Sequence, residues 1–238
     1  MRAFLEKIGN EWLDDFVYMS KFKFMDLGVD VIAFDGDDLN TLFKHRPSKN
    51  DVIIGSVEVT TKFFEYLEVD VPSYLGYPEE LKPYLLRDIK TCTYNELSDS
   101  YPYFVKPKDG VKLFTGSLVA NSTQRGFLEE YSDIEFLVSE PIDFVSEWRC
   151  FVHKGELKGI QYYLGDYCNY PNTDKIKEMI SKYTESPVSY TLDVGVIKSG
   201  ETALVEVNDM WAIGSYGFDA KTYVRMSIDR FMEIYKNT

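Results

Sequence analysis

The chain has 238 residues, 45% of them hydrophobic and 16% aromatic, enough apolar surface for a sizeable core and too much for a disordered chain. A formal net charge of −13 opposes non-specific binding to nucleic acid, which needs clustered lysine and arginine to replace phosphate counterions. It leaves room for a small anionic ligand met by a few local cations or a metal. Apolar runs such as the one within residues 51–55 are too short to span a bilayer. Residues 1–15 show no apolar stretch ahead of a small-residue cleavage site, so no secretory signal is expected. Cys92, Cys150 and Cys168 are widely spaced, which predicts reduced thiols in a cytoplasmic protein.

Residues 2–8 predict a first strand and residues 10–25 a helix. Residues 29–34 read as a buried strand closed by Asp35, Gly36, Asp37 and Asp38. Residues 51–55 predict another short strand, and residues 58–67 a helix with Phe63, Phe64 and Leu67 turned inward. This alternation implies a small parallel α/β lobe over residues 1–71. Residues 71–100 contain Pro72, Pro78 and Pro83 and read as a connecting region with one short helix. The chain then becomes strand-rich. Strands are expected at 103–106, 112–119, 134–139, 147–153, 157–164 and in a final pair, with helices at 173–183 and 219–235. No internal repeat or low-complexity tract is present. The expected organisation is therefore an α/β (α+β) chain in two units, 1–71 and 72–238.

The stretch FVKPKDGVKLFTGSLV over residues 104–119 ends a strand at Lys106, stops it at Pro107 and turns at Asp109-Gly110. Lys106 and Lys112 flank a glycine-containing hairpin, an arrangement suited to polyphosphate because ammonium groups supply point charges under a flexible cover. A surface hairpin with solvated lysines is the competing reading. No Gly-Lys-Ser/Thr opens a helix here, so this is not a Walker loop. The Lys-any-Asp-Gly signature of nucleic-acid ligases also fails, since Pro107 stands two residues before Asp109.

Farther along, Glu147 and Arg149 share one strand face, opposite Trp148 and Cys150. An arginine in a strand needs an anionic partner. Glu147 or Glu206 would serve, as would a substrate phosphate or carboxylate gripped by the planar fork. His153 reads as a hairpin-end residue and His45 as part of a basic loop.

Residues 189–217 carry the most chemistry. Leu192, Val194 and Val196 alternate with Asp193 and Gly195, the period of a half-buried strand. In the next strand Glu206 and Asn208 are two residues apart and face the same side, while Val205 and Val207 face the other. Set beside Asp193, they bring three oxygen-bearing side chains to one spot. Hard oxygen ligands in that number suit magnesium, which completes its shell with waters and substrate phosphates. An ordinary hairpin with solvated polar residues is the alternative.

A strand ending in Val-Lys-Pro, a glycine hairpin, a Glu-any-Arg strand, a strand aspartate and then Glu-Val-Asn together resemble the ATP-grasp family over about residues 72–236. The likeness is greatest to a divergent clade of small ATP-grasp proteins frequent in phage and bacterial genomes. More distantly the chain is similar to the peptide-bond-forming ligases that add glutamate to protein tails. The resemblance implies an ATP-grasp fold with a small N-terminal parallel lobe and a strand-rich nucleotide-binding region. By it, Lys106 and Lys112 would contact the nucleotide phosphates, and the backbone at Val138, Ser139 and Glu140 would form the adenine hinge. Glu140 or Glu147 would hold the ribose, Arg149 the γ-phosphate or an acyl-phosphate, and Asp193, Glu206 and Asn208 would bind Mg2+. The implied activity is an ADP-forming carboxylate–amine ligase with ATP and Mg2+ as cofactors and Lys106 and Arg149 in catalytic roles. Its partners would be small-molecule or peptide carboxylates and amines, with no nucleic acid and no membrane.

The sequence departs from the family pattern in two places. The glycine loop is short and poor in glycine. After Asn208 the chain reads DMWAIGSYG where many ligases have Ser or Thr, Pro and Gly, so the acceptor site is undefined, with Gly214, Ser215 and Tyr216 as candidates. A non-catalytic nucleotide-binding or interaction protein, presenting Tyr162, Tyr163, Tyr167 and Tyr170 at its surface, is the second reading.

Overall fold

Ala3, Phe4 and Leu5 are adjacent in sequence and all fully buried, which requires cover on both sheet faces and marks a central parallel strand. In the computed structural model, which describes residues 1–108 and 113–238, this is β1 (Arg2–Ile8). Short β2 (Glu11–Trp12) folds back antiparallel onto its end. Next come helix α1 (Asp15–Asp26), β3 (Asp30–Asp35), short helix α2 (Asn40–Phe43), β4 (Val52–Ile54) and helix α3 (Val57–Tyr66). Strands β3 and β4 both run parallel to β1 and both pair with Ala3, so they occupy its two edges. Phe63 and Phe64 of α3 are fully buried, as their spacing requires. Helix α1 starts later than residue 10 because Asp14 caps it, accepting from Val17 N at 2.7 Å. Gly9, at φ +59°, turns the chain ahead of it.

The connecting region holds more structure than its prolines suggest. A 3-10 helix spans Glu79–Tyr84 with Pro83 inside, and an unanticipated strand, β5 (Ile89–Cys92), follows. Strand β5 is the edge of a second, fully antiparallel sheet, ordered β5-β8-β6-β7. Its other members are β6 (Tyr103–Pro107), β7 (Ser117–Val119) and β8 (Phe136–Ser139). Between β7 and β8 lie helix α4 (Ser122–Gly126) and a 3-10 turn at Phe127–Tyr131. Of the strand expected over 112–119, β7 keeps the last three residues. The predicted turn at Asp109-Gly110 and Lys112 lie outside the described residues.

A third sheet, ordered β10-β9-β11-β12, is also antiparallel. It comprises β9 (Phe144–His153), β10 (Glu156–Gly165), β11 (Ser189–Ile197) and β12 (Thr202–Asp209). One face buries Trp148, Cys150, Val152, Leu192 and Val194 with Ile176, Met179 and Ile180 of α5 (Thr173–Lys182). Gly195 lets β11 approach the ring of Phe144, since a Cβ there would lie 2.0 Å from Cδ1. The last helix, α6 (Ala220–Lys236), turns back to the first sheet. Its Phe231 packs on Phe63 and Phe64, and Tyr235 Oη donates to the Asp51 carbonyl at 2.7 Å. One apolar core therefore joins the first sheet to Phe151, Met210, Phe218 and Tyr223 from the C-terminal half. Among the described residues no helix is long and apolar enough to cross a membrane.

Asp51 clamps the start of β4 to the start of β1. Its carboxylate is 2% exposed and accepts from Arg2 N, Nε and Nη2 at 2.8, 3.2 and 2.6 Å and from Ser48 N at 2.9 Å. Burial works against the charge, but these donors and the Arg2 cation outweigh it and hold the carboxyl below its ordinary value. A depressed folded-state value contributes stability that is present above the unfolded value, about 3.9, and lost as pH falls through the folded one. Asp51→Asn should therefore lower the unfolding free energy by about 2 kcal/mol at pH 7. Urea unfolding across pH checks this: the gap between wild type and variant should close in acid.

Candidate functional site

The register of the third sheet sets the site. Arg149 on β9 lies opposite Asp193 on β11, and Asp193 opposite Glu206 on β12, so one row of charged side chains crosses three strands. Asn208 projects from β12 on the same face. Its Nδ2 donates to Asp193 Oδ2 and to Glu206 Oε1, both at 3.1 Å. Asn208 thus bridges Asp193 and Glu206, bringing together the three oxygen-bearing side chains that strand spacing groups on one face.

Arg149 meets Asp193 in a fork, Nε to Oδ1 at 2.8 Å and Nη2 to Oδ2 at 2.7 Å. The partner is neither Glu147 nor Glu206. Directly opposite residues stand about 5 Å apart at Cβ, closer than residues two along the same strand at about 6.6 Å. The remaining guanidinium nitrogen, Nη1, donates to the Gly214 carbonyl at 3.1 Å. The ring of Tyr216 lies 4.8 Å from the guanidinium carbon and stacks on Tyr163 at 5.1 Å. Tyr163 Oη donates to Glu147 Oε2 at 2.8 Å. Tyr163 therefore belongs to this cluster, whereas Tyr162, Tyr167 and Tyr170 are exposed.

The opposite wall comes from the second sheet. Lys106, near the end of β6, puts Nζ 2.7 Å from Glu206 Oε2. The cleft thus carries two adjacent carboxylates, Glu206 and Asp193, flanked by a cation at each end, Lys106 and Arg149. Burial disfavours the Glu206 anion, yet Lys106, with hydrogen bonds from Asn208 and Tyr74, outweighs it and holds this carboxyl below its ordinary value. Lys106 is correspondingly raised: burial opposes its charge, and Glu206 overrides that. Asp193 is more deeply enclosed. Burial, with Glu206 and Glu147 behind it, pushes its carboxyl up against the two Arg149 hydrogen bonds. Burial also raises Glu147.

Val138, Ser139 and Glu140 lie apart from this row. The Val138 side chain packs into the core of the second sheet, Ser139 Oγ donates to the Glu140 carbonyl at 3.0 Å, and Glu140 Oε1 accepts from Asp88 N at 3.2 Å. Their sheet nonetheless joins them to the site, because Val138 pairs with Val105, next to Lys106.

Tyr74 and Arg87, both in the proline-rich connector, reach the site without any sequence motif that marks them. Tyr74 Oη lies 2.9 Å from Glu206 Oε2 and 2.7 Å from Lys106 Nζ. Arg87 pins the connector to β12, donating to the Leu204 and Val205 carbonyls at 2.9 and 3.0 Å. Both line a cavity of about 920 Å³, together with Tyr77, Lys82, Lys90, Lys108 and Leu137. The one local clue is the basic pair Arg87 and Lys90 around the start of β5, a strand whose burial does not alternate.

Among the described residues no group of three or more His, Cys, Asp and Glu side chains stands ready to hold a metal. The trio here is two carboxylates and an amide. The Arg149–Asp193 pair is 8% and 3% exposed at its side chains, so removing one partner strands a charge. Arg149→Met should cost about 3 kcal/mol of unfolding free energy, and the added change Asp193→Asn should recover part of it. Urea titration of the two single variants and the double variant measures this.

Residues 84–226 match the family model described as ATP-grasp domain, R2K clade family 2. No curated protein sequence matches the chain. Several solved structures do. The RimK domain protein ATP-grasp from Sphaerobacter thermophilus is similar with a TM-score of 0.60 at 14% identity, covering 99% of both chains. N5-carboxyaminoimidazole synthetase from Staphylococcus aureus, complexed with ADP, gives 0.61 at 12% identity over 96% of this chain and 77% of that one. D-alanine–D-alanine ligase from Bacillus anthracis gives 0.53 at 12% identity, over 99% and 98%. At such identities the likeness is one of fold. The family match covers more than half of the sequence, and the chain belongs to the ATP-grasp domain family, R2K clade family 2.

Proposed function

We propose that this protein is an ATP- and magnesium-dependent ligase that joins a carboxylate to an amine through an acyl-phosphate, releasing ADP. One observation carries the reading: Lys106 from one sheet and Arg149, Asp193, Glu206 and Asn208 from another meet in a single cleft. Membership of the ATP-grasp family supports it, as do neighbours in fold that include a D-alanine–D-alanine ligase and a synthetase complexed with ADP.

The donor set fits the metal. Asp193 and Glu206 offer carboxylate oxygens and Asn208 an amide oxygen, the hard donors that Mg2+ takes, and Asn208 Nδ2 bridges the two carboxylates. When bound, the ion would neutralise phosphate charge and orient the transferred group. Lys106 and Arg149 do the rest of the electrostatic work. Arg149 is buried and Lys106 half-buried, and in such a cleft their charges offset those that develop on the phosphoryl oxygens. The substrate carboxylate attacks the γ-phosphate, ADP leaves, and the amine then displaces phosphate from the acyl carbon. No serine, cysteine or histidine nucleophile takes part, in keeping with a chain that has two histidines.

The nucleotide base is assigned to the β8 end, where the backbone at Val138, Ser139 and Glu140 forms the hinge, with the ribose at Glu140 or Glu147. Lys112 would add to the phosphate contacts. The cavity lined by Lys82, Arg87 and Lys90 offers the nearby positive charge that a polyphosphate needs in an acidic protein. Gly214, Ser215 and Tyr216 line the acceptor side, where Arg149 already touches Gly214 and Tyr216. We assign residues 1–71 to an N-terminal lobe and 72–238 to the catalytic region, in a cytoplasmic protein acting on small-molecule or peptide substrates.

A second reading, binding of nucleotide without transfer, is favoured by one feature. Each site acid already has a protein cation beside it, so the cluster is stable as a purely structural network. The readings separate in an assay of Mg2+-dependent ADP release across a panel of carboxylates and amines. Glu206→Ala or Asn208→Ala should abolish release while thermal unfolding remains cooperative. Full activity in either variant would overturn the metal assignment, and ATP binding with no ADP formed from any pair would favour the second reading.

A further inference from the structure

Tyr74 stands where a bound nucleotide would make its demands. Its hydroxyl closes a triangle with Lys106 Nζ at 2.7 Å and Glu206 Oε2 at 2.9 Å, and Lys106 Nζ is itself 2.7 Å from the same Oε2. One carboxylate oxygen thus accepts from both Lys106 and Tyr74, while Oε1 accepts from Asn208. The two lone pairs of Oε2 are both in use. The tyrosine also encloses the ammonium, which lies 4.5 Å from the Tyr77 ring centroid and 5.3 Å from that of Tyr74. A phenol hydroxyl, with an ordinary pKa of about 10, sits there as a neutral donor.

The segment that carries it is lightly tied. Residues 71–75 have no regular structure, and the next backbone anchor is an isolated bridge in which Val207 N donates to the Gly76 carbonyl at 2.8 Å. Gly76 sits at φ +51°, and a Cβ there would come within 2.6 Å of Tyr74 Cε1. The absence of that carbon is what lets the Tyr74 ring fold over the strap and reach the cleft.

We propose that Tyr74 is a competing internal ligand that sets the affinity of the site. Its hydroxyl occupies the Glu206 oxygen and the Lys106 ammonium that a metal–nucleotide must take over, and binding requires it to let go. This rests on the nucleotide reading above and goes beyond it, because that reading uses Lys106 and Glu206 but gives Tyr74 no part. The sign of the effect is the test. A hydroxyl that merely added a contact to the bound phosphates would make its loss weaken binding; a competing hydroxyl makes its loss strengthen it.

The experiment is calorimetric titration of the full chain with Mg-ADP, on wild type, Tyr74→Phe and Gly76→Ala, each checked for cooperative thermal unfolding. Tyr74→Phe keeps the ring and its packing on Lys106 and removes only the hydroxyl. Binding should tighten about threefold to tenfold, the equivalent of one relinquished hydrogen bond. Gly76→Ala keeps the hydroxyl but expels the ring, and should tighten binding in the same direction. Binding that is equal or weaker in folded Tyr74→Phe overturns the proposal and leaves the nucleotide reading standing. Absence of Mg-ADP binding in all three proteins would defeat both at once.

Discussion

Two carboxylates held within reach of one amide group cannot remain charged without cations beside them, and the rest of the molecule follows from that constraint. Asp193 and Glu206 both accept from Asn208 Nδ2, in a cleft where water does little screening. Removing one partner from a buried pair of this kind costs about 3–5 kcal/mol. Arg149 and Lys106 meet the need from opposite sides, one from within the same sheet and one from the facing sheet. The Lys106–Glu206 contact is therefore a tie between two sheets with separate apolar cores, and it holds them at the separation that makes a cleft.

The scaffold keeps this row in line by burying everything behind it. The reverse face of the third sheet is sealed by α5, so β9 and β11 cannot slip by one residue without turning Trp148 and Val194 out to the charged side. Beyond Asn208 the chain is fixed with equal care. Asp209 receives Nε of Arg230 at 2.8 Å from α6, and the Arg230 guanidinium also holds Glu233 at 2.7 Å. Phe218 stacks flat on Phe151 at 4.1 Å, and the Ile213 carbonyl accepts from the Tyr223 hydroxyl. Residues 210–218, which present the Gly214 carbonyl and the Tyr216 ring to Arg149, are thereby pinned to the core that α6 shares with the first sheet. The N-terminal sheet thus contributes to the site indirectly, as the anvil on which α6 and this loop rest.

How much of this was legible in the chain depends on the distance over which each contact acts. The period of two in residues 192–196 and 203–208 placed Asp193, Glu206 and Asn208 on one face, and the hairpin between them made their meeting a local matter. Phe63 and Phe64 on α3, and the existence of β1 though not its burial, are readable from local pattern as well. Arg149 was recognised as needing an anion, but which anion depended on the β9–β11 register, which no local pattern encodes. Tyr74 acts on a residue 132 positions away from a segment without periodicity, and Arg87 on carbonyls 117 and 118 positions away. Their roles emerge only when two sheets and a connector come together. Strand β5 was missed because four residues among prolines, exposed on one side, carry too little alternation to distinguish from a loop.

The balance of charge also bears on the order in which the proposed ligands would arrive. Lys106 and Arg149 already neutralise Glu206 and Asp193, so a divalent cation entering alone would have to displace two buried cations and leave them without partners. That is the costly outcome described for a broken buried pair. A cation that enters with a polyphosphate brings the replacement anions with it, and Lys106 and Arg149 can turn from carboxylate to phosphate without ever being stranded. Arg87, Lys82 and Lys90 line the neighbouring cavity beside Asp88, and would meet the anionic end with local positive charge inside a protein whose net charge is −13. On the reading proposed here, the internal ion pairs act as placeholders that keep the cleft formed and discourage metal alone. Ligand exchange between matched charges would then be the step that admits metal and nucleotide together.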